Sequence, residues 1–246
     1  MRILIGIDDT DNLESRGTGY RARDLARQIA LNSFGILKGI TRHQLFFDRR
    51  IPYTSHNSSA CLEIETHDPS PLIGFTREYL LRESAPGSDA GLAVALFEQV
   101  GPEIVEWGLR AKKEILTQDE ARRLAGKHGI HLEGVTGTRD GIIGSLAAIG
   151  LRKSGNDGRY IGVGGREIRE LKGVLTGTRL FSEIRIDAIE EKDGSTIPIT
   201  DKINTGDWMR PVLRNHKITL IAEKAQNSES YEWQTASKEY IKSITG

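Results

Sequence analysis

The opening stretch, MRILIGIDDTDNLESRGTGY, constrains the fold more than any other part of the chain. Residues 2–8, RILIGID, are apolar and β-branched in the manner of a buried strand, and the run stops at three carboxylates, Asp8, Asp9 and Asp11. In the following GYRARDLARQIALNSFG, Leu25 and Ile29 recur at helical spacing with Ala22, Ala26 and Ala30, and Gly35 suits the C-terminal cap. The order is strand, loop, helix. The polar loop over residues 8–18 therefore belongs at the carboxyl end of a strand and against a helix N-terminus. Carboxylates this close repel one another unless a cation, backbone N–H groups or water compensate them.

Further along, ILKGITRHQLFF and SSACLEIE read as strands joined by the irregular loop DRRIPYTSHN. PLIGFTREYLLRESA predicts a helix, AGLAVALFE a strand, and PEIVEWGLRAKKEIL and TQDEARRLAGKHG two helices, the second with Thr117 and Glu120 as a capping box. Gly141, Gly144, Ser145, Ala147 and Ala148 predict a short helix that another backbone approaches closely. After residue 173 the pattern is strand-rich, with VLTGTRL, SEIRIDAIE, IPITDKIN and RPVLRNHKITLIAEKA before a weak terminal helix. The fold class expected is mixed α/β.

A chain of 246 residues suffices for one large domain or two small ones. Its 34 basic and 34 acidic residues balance, which argues against a broad polyanion-binding surface. The charge is uneven, however. Residues 16–50 hold eight Lys or Arg against two acids, a net +6 that fits either a local anion site or a solvated helix face. No apolar run approaches the roughly 20 residues of a membrane span, and no signal-peptide pattern opens the chain, so the expectation is a cytoplasmic protein with no membrane partner. The single Cys61 can form neither an intramolecular disulfide nor a zinc ribbon and reads as a buried small hydrophobe.

The carboxylates admit three readings. As a magnesium site, Asp8, Asp9 and Asp11 supply one or two hard oxygen ligands and leave the rest to water and nucleotide phosphates, while Gly17, Thr18 and Gly19 offer backbone N–H groups to phosphate. As the D-x-D of haloacid-dehalogenase-type phosphohydrolases, Asp9 attacks phosphorus and Asp11 acts as acid, although Asn12 and Leu13 depart from that motif. The bland reading is a loop of Asp side chains capping turn N–H groups. No P-loop motif is present, GVGG at 162–165 reads as a turn, and the six His form no metal-binding pattern.

Five segments in this order carry a family resemblance: GIDDTD at 6–11, RGTGY at 16–20, IPYTSHNSSA at 51–60, GSDAGLAVA at 87–95 and GTRDGIIGSLAAIG at 137–150. With these the chain resembles the archaeal isoleucine-tRNA 2-agmatinylcytidine synthetases, over roughly residues 3 to 220. The resemblance implies an enzyme that uses ATP and Mg2+ to phosphorylate an oxygen of an RNA base, after which an amine displaces the phosphate. It implies a kinase-like α/β region over residues 1–134 and a ferredoxin-like α+β region over 135–246, with the two free to interleave. Asp9, Asp11, Thr18 and Arg16 take catalytic roles on this reading; Asp8, Thr10, Gly17 and Gly19 bind the nucleotide; Asp8, Asp9 and Asp11 hold the metal. Arg139, Gly141 and His56 face the substrate.

Three departures accompany the resemblance. The family's OB-fold and Cys-rich zinc ribbon, which grip tRNA, are not found in this sequence. Thr54 and His56 stand where the family loop carries Lys and Arg, and glycines flank Thr18 where the family has Cys and Thr. The acceptor is then tRNA, bound with a separate RNA-binding protein, or a small molecule. The alternative function is a nucleotide-sensing homologue without turnover.

Overall fold

The structure is a computed structural model that describes residues 1–246 apart from Ser55, Glu167, Arg169, Glu170 and Asn227. Its first elements are β1 (Arg2–Asp8), α1 (Thr18–Leu31), β2 (Ile36–Gln44), β3 (Ser58–Glu65), α2 (Ser70–Glu83) and β4 (Gly91–Leu96). The strands pair antiparallel in the order β4-β1-β3-β2. This is the split βαβ, ferredoxin-like arrangement, and it lies within residues 2–96, inside the segment that the family resemblance assigns to the kinase-like part.

Alternation along β1 separates two cores. Ile3, Ile5 and Ile7 face α1 and α2, packing on Leu25, Ile29, Leu72, Tyr79 and Leu80. Leu4 faces the opposite side with Cys61, Ala93 and Ala95. That second face is covered by α3 (Pro102–Arg110) and α5 (Gly141–Ser154), with α4 (Gln118–Lys127) and β5 (His131–Gly134) between them in sequence. Cys61 is fully buried, and burial pushes its thiol proton affinity far up, as expected of a small hydrophobe.

α5 is buried almost all round, which suits a helix enclosed between a sheet and another helix. Its small residues set the spacing. A Cβ on Gly6 of β1 would lie 2.0 Å from the Ser145 carbonyl oxygen, and one on Gly150 would lie 2.0 Å from that of Ile104. Only glycine permits such backbone contact.

The remaining elements are β6 (Arg159–Val163), β7 (Val174–Thr176), α6 (Gly177–Ile184), β8 (Ala188–Glu190), β9 (Lys202–Asn204), β10 (Val212–Arg214), β11 (Lys217–Lys224), β12 (Trp233–Thr235) and α7 (Lys238–Thr245). β6 pairs with β2, and the sheet runs on through β10, β11, β12, β9 and β7, with β8 beside β11. The pairs β8–β11 and β9–β12 are parallel, so the sheet is mixed, in a mixed α/β fold. β6 serves both sides: Ile161 joins the α1 core, whereas Tyr160 and Val163 join a third core with Leu180, Met209, Leu220 and Trp233. Among the described residues no helix is long and apolar enough to cross a membrane.

Four local expectations change. α1 stops at Asn32, with Ser33 taking the positive φ of 57°; Gly35 is instead needed for space, since its Cβ would lie 2.5 Å from Ile64 Cγ2. α3 ends at Arg110, short of the apolar pattern. VLTGTRL divides into β7 and α6 because the Thr176 hydroxyl accepts the Arg179 N–H at 3.3 Å and starts a helix. The strands β5 and β6 were not expected, each being a short run beside glycines. The Thr117–Glu120 capping box forms as predicted.

Candidate functional site

β1 delivers Asp8 to the edge of the sheet's interior, opposite Gly91 of β4. The first residues of α5 arrive at the same point. The Gly141 N–H donates to the Asp89 carbonyl at 2.9 Å, and a Cβ on Gly141 would lie 2.5 Å from the Gly91 nitrogen. One on Gly144 would lie 1.8 Å from Asp8 Oδ2, so this glycine makes the room in which the Asp8 carboxylate sits. The segment before β4 is tied down in turn: the Thr136 hydroxyl donates to the Ser88 carbonyl at 2.7 Å and accepts the Ala90 N–H at 2.8 Å. Asp89 accepts a hydrogen bond from the Thr138 N–H.

Five carboxylates therefore come together from three loops. Burial first, and then the like charges of Asp89, Asp11 and Asp140, raise the Asp9 carboxyl from the ordinary 3.8 to about 6. Asp8 is raised well above the ordinary value, first by burial and then by Asp9 and Asp11; the Asp9 N–H and Arg42 act in the opposite direction. Asp9 adopts a left-handed backbone, φ 52°, which Asp tolerates better than most residues. Its carboxylate accepts no hydrogen bond from the described residues.

Asp11 is placed differently. Its Oδ1 accepts the Thr18 N–H at 3.1 Å and the Thr18 hydroxyl at 2.8 Å, while its Oδ2 accepts the Thr54 hydroxyl at 2.9 Å. The buried Thr10 donates its hydroxyl to Thr18 Oγ1 at 3.2 Å, and the Thr10 carbonyl accepts the Ala85 N–H at 3.0 Å. Asp11, Thr18, Thr10 and Thr54 thus form one network that fixes the loop. The Thr18 N–H at the start of α1 is already engaged by Asp11.

The other expected residues separate. Gly17 is exposed at the N-cap of α1, and Gly19 packs toward Ile161. Arg16 is exposed, with its guanidinium 4.5 Å from the Tyr20 ring. Arg139 is exposed at φ 72°, its stem laid against Gly134, and Gly141 is a buried packing position. Burial, and then the field of Arg42, Lys242, Arg159 and Lys238, holds the His56 imidazole below its ordinary value.

Asp89, Asp140 and Arg42 are the residues that sequence reasoning overlooked at this point, and Thr54, noted there as a departure from the family loop, bonds to Asp11. Asp89 and Asp140 stand in GSDAG and GTRDG, motifs in which the glycines drew the attention. Among the described residues no three His, Cys, Asp or Glu side chains converge into an all-protein metal cage. The arrangement offers instead one or two acidic oxygens at the mouth of a loop, flanked by two helix N-termini.

No family model matches the chain. It is 30% identical over 154 residues to the isoleucine-tRNA 2-agmatinylcytidine synthetase TiaS of Archaeoglobus fulgidus, covering 61% of this chain and 36% of that protein. It is 28% identical over 158 residues to an uncharacterised protein of Methanocaldococcus jannaschii, covering 61% of this chain and 50% of that one. Of solved structures, apo TiaS superposes with a TM-score of 0.53 at 25% identity, over 61% of this chain and 35% of that one. The complex of TiaS with its isoleucine tRNA and ATP superposes with a TM-score of 0.53 at 26% identity, over 61% and 36%. The chain thus spans between about a third and a half of the curated relatives it matches. Over that shared portion it is related to the isoleucine-tRNA 2-agmatinylcytidine synthetases and has their mixed α/β fold.

Proposed function

We propose that the chain is an ATP-dependent phosphoryl-transfer enzyme of the TiaS type, which activates an oxygen of an RNA base or of a small-molecule acceptor for attack by an amine. The observation that carries this reading is the nearness of Asp8, Asp11, Asp89 and Asp140 to Asp9, whose carboxyl is raised to about 6 by burial and then by the like charges of Asp89, Asp11 and Asp140. Neighbouring acids that raise one another's proton affinity are unfavourable for a fold alone and favourable for one that receives a cation. The relationship to TiaS, solved with its isoleucine tRNA and ATP, supports a nucleotide as the partner of that cation.

The residues fit Mg2+. This ion is commonly held by one or two carboxylates, water and substrate phosphates rather than by a protein cage, and Asp8 and Asp9 provide such a pair. When bound, Mg2+ would neutralise the phosphate charge that the transfer must carry. The chain's own part is positional. Asp8 and Asp9 orient the cation, Asp11, Thr10 and Thr18 hold the loop, and the exposed Gly17 leaves the approach to α1 free of side chains. Asp89 and Asp140 add to the effect of burial in raising the proton affinity of Asp9.

Incubation with ATP and Mg2+, followed by separation of nucleotides, is expected to yield ADP or AMP or a phosphorylated protein. Tight binding without any product would replace this reading by that of a nucleotide sensor. Filter binding of tRNA across a salt series decides between the acceptor classes, since a flat response contradicts phosphate contacts.

A further inference from the structure

The loop joining β2 to β3 carries a surface that cation and phosphate handling at Asp8 and Asp9 does not use. Of the Phe, Trp and Tyr side chains among the described residues, only Phe47 and Tyr53 are exposed, by 49% and 43%. These two touch. Their ring centroids lie 5.3 Å apart with the planes at 81°, an edge-to-face pair that leaves at least one face of each ring uncovered by the other. A single exposed apolar residue is ordinary, whereas adjoining aromatic rings in water form a patch suited to a partner.

Both ends of this loop are fixed beside the carboxylates. A Cβ on Gly144 would meet the Asp8 carboxylate and, at 3.0 Å, Leu45 Cδ1, so Leu45 enters the loop beside Asp8. At the other end the Thr54 hydroxyl donates to Asp11 Oδ2 at 2.9 Å. Phe47 follows Leu45 by two residues and Tyr53 directly precedes Thr54, so the rings border the carboxylate loop. Hydrogen bonds close the neck. The Leu45 N–H donates to the Asn57 carbonyl at 2.9 Å, the Asn57 amide to the Phe46 carbonyl at 2.7 Å, and the Phe46 N–H to the Ala111 carbonyl at 3.0 Å. The rings are thus carried on a loop held before any ligand arrives, which lowers the ordering cost of binding.

Between the rings in sequence, Arg49 is exposed, and Arg50 pairs through two bonds with Asp48. A flat apolar face with a cation beside it is the combination that holds single-stranded nucleic acid, the ring taking an unstacked base and the arginine a phosphate. The chain carries no net charge, so a strand has to be held locally, and stacking does this without a broad basic face. A nucleotide pocket buries most of its ligand, which rings about half exposed do not. We propose that Phe47, Tyr53 and Arg49 form the platform for the acceptor: an unstacked base of a single-stranded RNA segment lies against the rings, and a neighbouring phosphate meets Arg49. This rests on the phosphoryl-transfer reading, which requires an acceptor beside Asp8 and Asp9, and it names RNA rather than a small molecule as that acceptor.

The full chain is titrated with a short single-stranded RNA oligonucleotide across a salt series and, separately, with a non-hydrolysable ATP analogue and Mg2+; ATP turnover is followed in parallel. The variants are Phe47→Leu, Tyr53→Leu, Tyr53→Phe and Arg49→Gln, all at exposed positions where the fold is expected to hold. Each Leu variant is expected to weaken RNA binding roughly tenfold to a hundredfold, and Tyr53→Phe, which keeps the ring, to bind as the parent does. Arg49→Gln is expected to lower the slope of log affinity against log salt by about 0.7. Analogue binding is expected to hold in all four. RNA affinity unchanged in both Leu variants, or no RNA binding by the parent chain, overturns the platform. A matching loss in the analogue arm overturns it too, since the rings would then be a nucleotide contact. Ring-dependent RNA binding without any ATP product sinks the phosphoryl-transfer reading and leaves the platform standing, whereas product formed with ring-independent RNA binding sinks the platform alone.

Discussion

Asp9 concentrates the chemistry of the site in one side chain. Its φ of 52° is a conformation that Asn adopts readily, so Asp9→Asn removes the charge with little backbone cost. Because the folded carboxyl binds its proton up to about pH 6 and the unfolded one only to about 3.8, the sign of the linkage is fixed. Stability from this group is complete below about 3.8 and is lost as pH rises through about 6. In chelator, the thermal midpoint of the native chain is expected to fall across that window, and Asp9→Asn to flatten the fall and to melt higher at pH 7. A mutant that melts lower at pH 7 would show that Asp9 is a structural acceptor. On the proposed function Mg2+ would compete with the same proton, so Mg2+-dependent nucleotide binding is expected to weaken as pH drops below about 6 and to vanish in Asp9→Asn; calorimetry at pH 5 and pH 7.5 checks this. The cluster was partly readable in the chain. GIDDTD declares Asp8 and Asp9, but nothing in the spacing places Asp89 and Asp140 beside them, since that depends on how the ends of β4 and α5 meet. Asp11 reads as a ligand in sequence, and in the structure its two oxygens accept the Thr18 and Thr54 hydroxyls.

At the scale of elements, α5 explains why the site exists where it does. The segment GTRDGIIGSLAAIG announces close packing through its small residues, and the structure gives each a neighbour: Gly141 meets Gly91, Gly144 meets Asp8, and Gly150 meets Ile104. Gly141→Ala places a methyl 2.5 Å from the Gly91 nitrogen, which must push α5 off β4. It is expected to cost about 1–3 kcal/mol and to lower the raised proton affinity of Asp9, as Asp140 withdraws. Gly74 of α2 is the control, since its Cβ meets nothing within 4 Å. Gly74→Ala is expected to stabilise by about 0.5–1 kcal/mol through lower unfolded-state entropy, and denaturant titration of both variants checks the contrast. Short strands escaped the same kind of reading. β5 and β6 are four and five residues long, and their pairing comes from partners far along the chain rather than from their own pattern.

For the whole molecule, the question is whether the ferredoxin-like unit and the C-terminal sheet behave as one body. Backbone pairing runs without a gap from β2 to β6 to β10, and β6 contributes side chains to cores on both sides of that seam. A buried polar chain crosses it as well. The His43 Nδ1 meets Asp157 Oδ1 at 2.8 Å, its Nε2 meets the Thr41 hydroxyl at 2.7 Å, and Lys112 joins Asp157 to the Thr245 carbonyl of α7, 3.2 Å away. All four polar side chains are withdrawn from solvent, so the resemblance of Thr41, His43 and Asp157 to a catalytic triad is one of geometry without access. Burial keeps His43 below its ordinary value, which suits a neutral imidazole bridging two elements. If these links couple the halves, Trp107 in the α5 core and Trp233 in the C-terminal core should report one transition. Variants retaining only Trp107 or only Trp233 are expected to give coincident denaturant midpoints that match far-ultraviolet circular dichroism. Replacing Asp157 by Asn should lower both midpoints together, because it strands Lys112 and His43 in the interior. Two separated midpoints in the parent variants would instead mean that the β2–β6 seam opens first and that the halves fold as independent units.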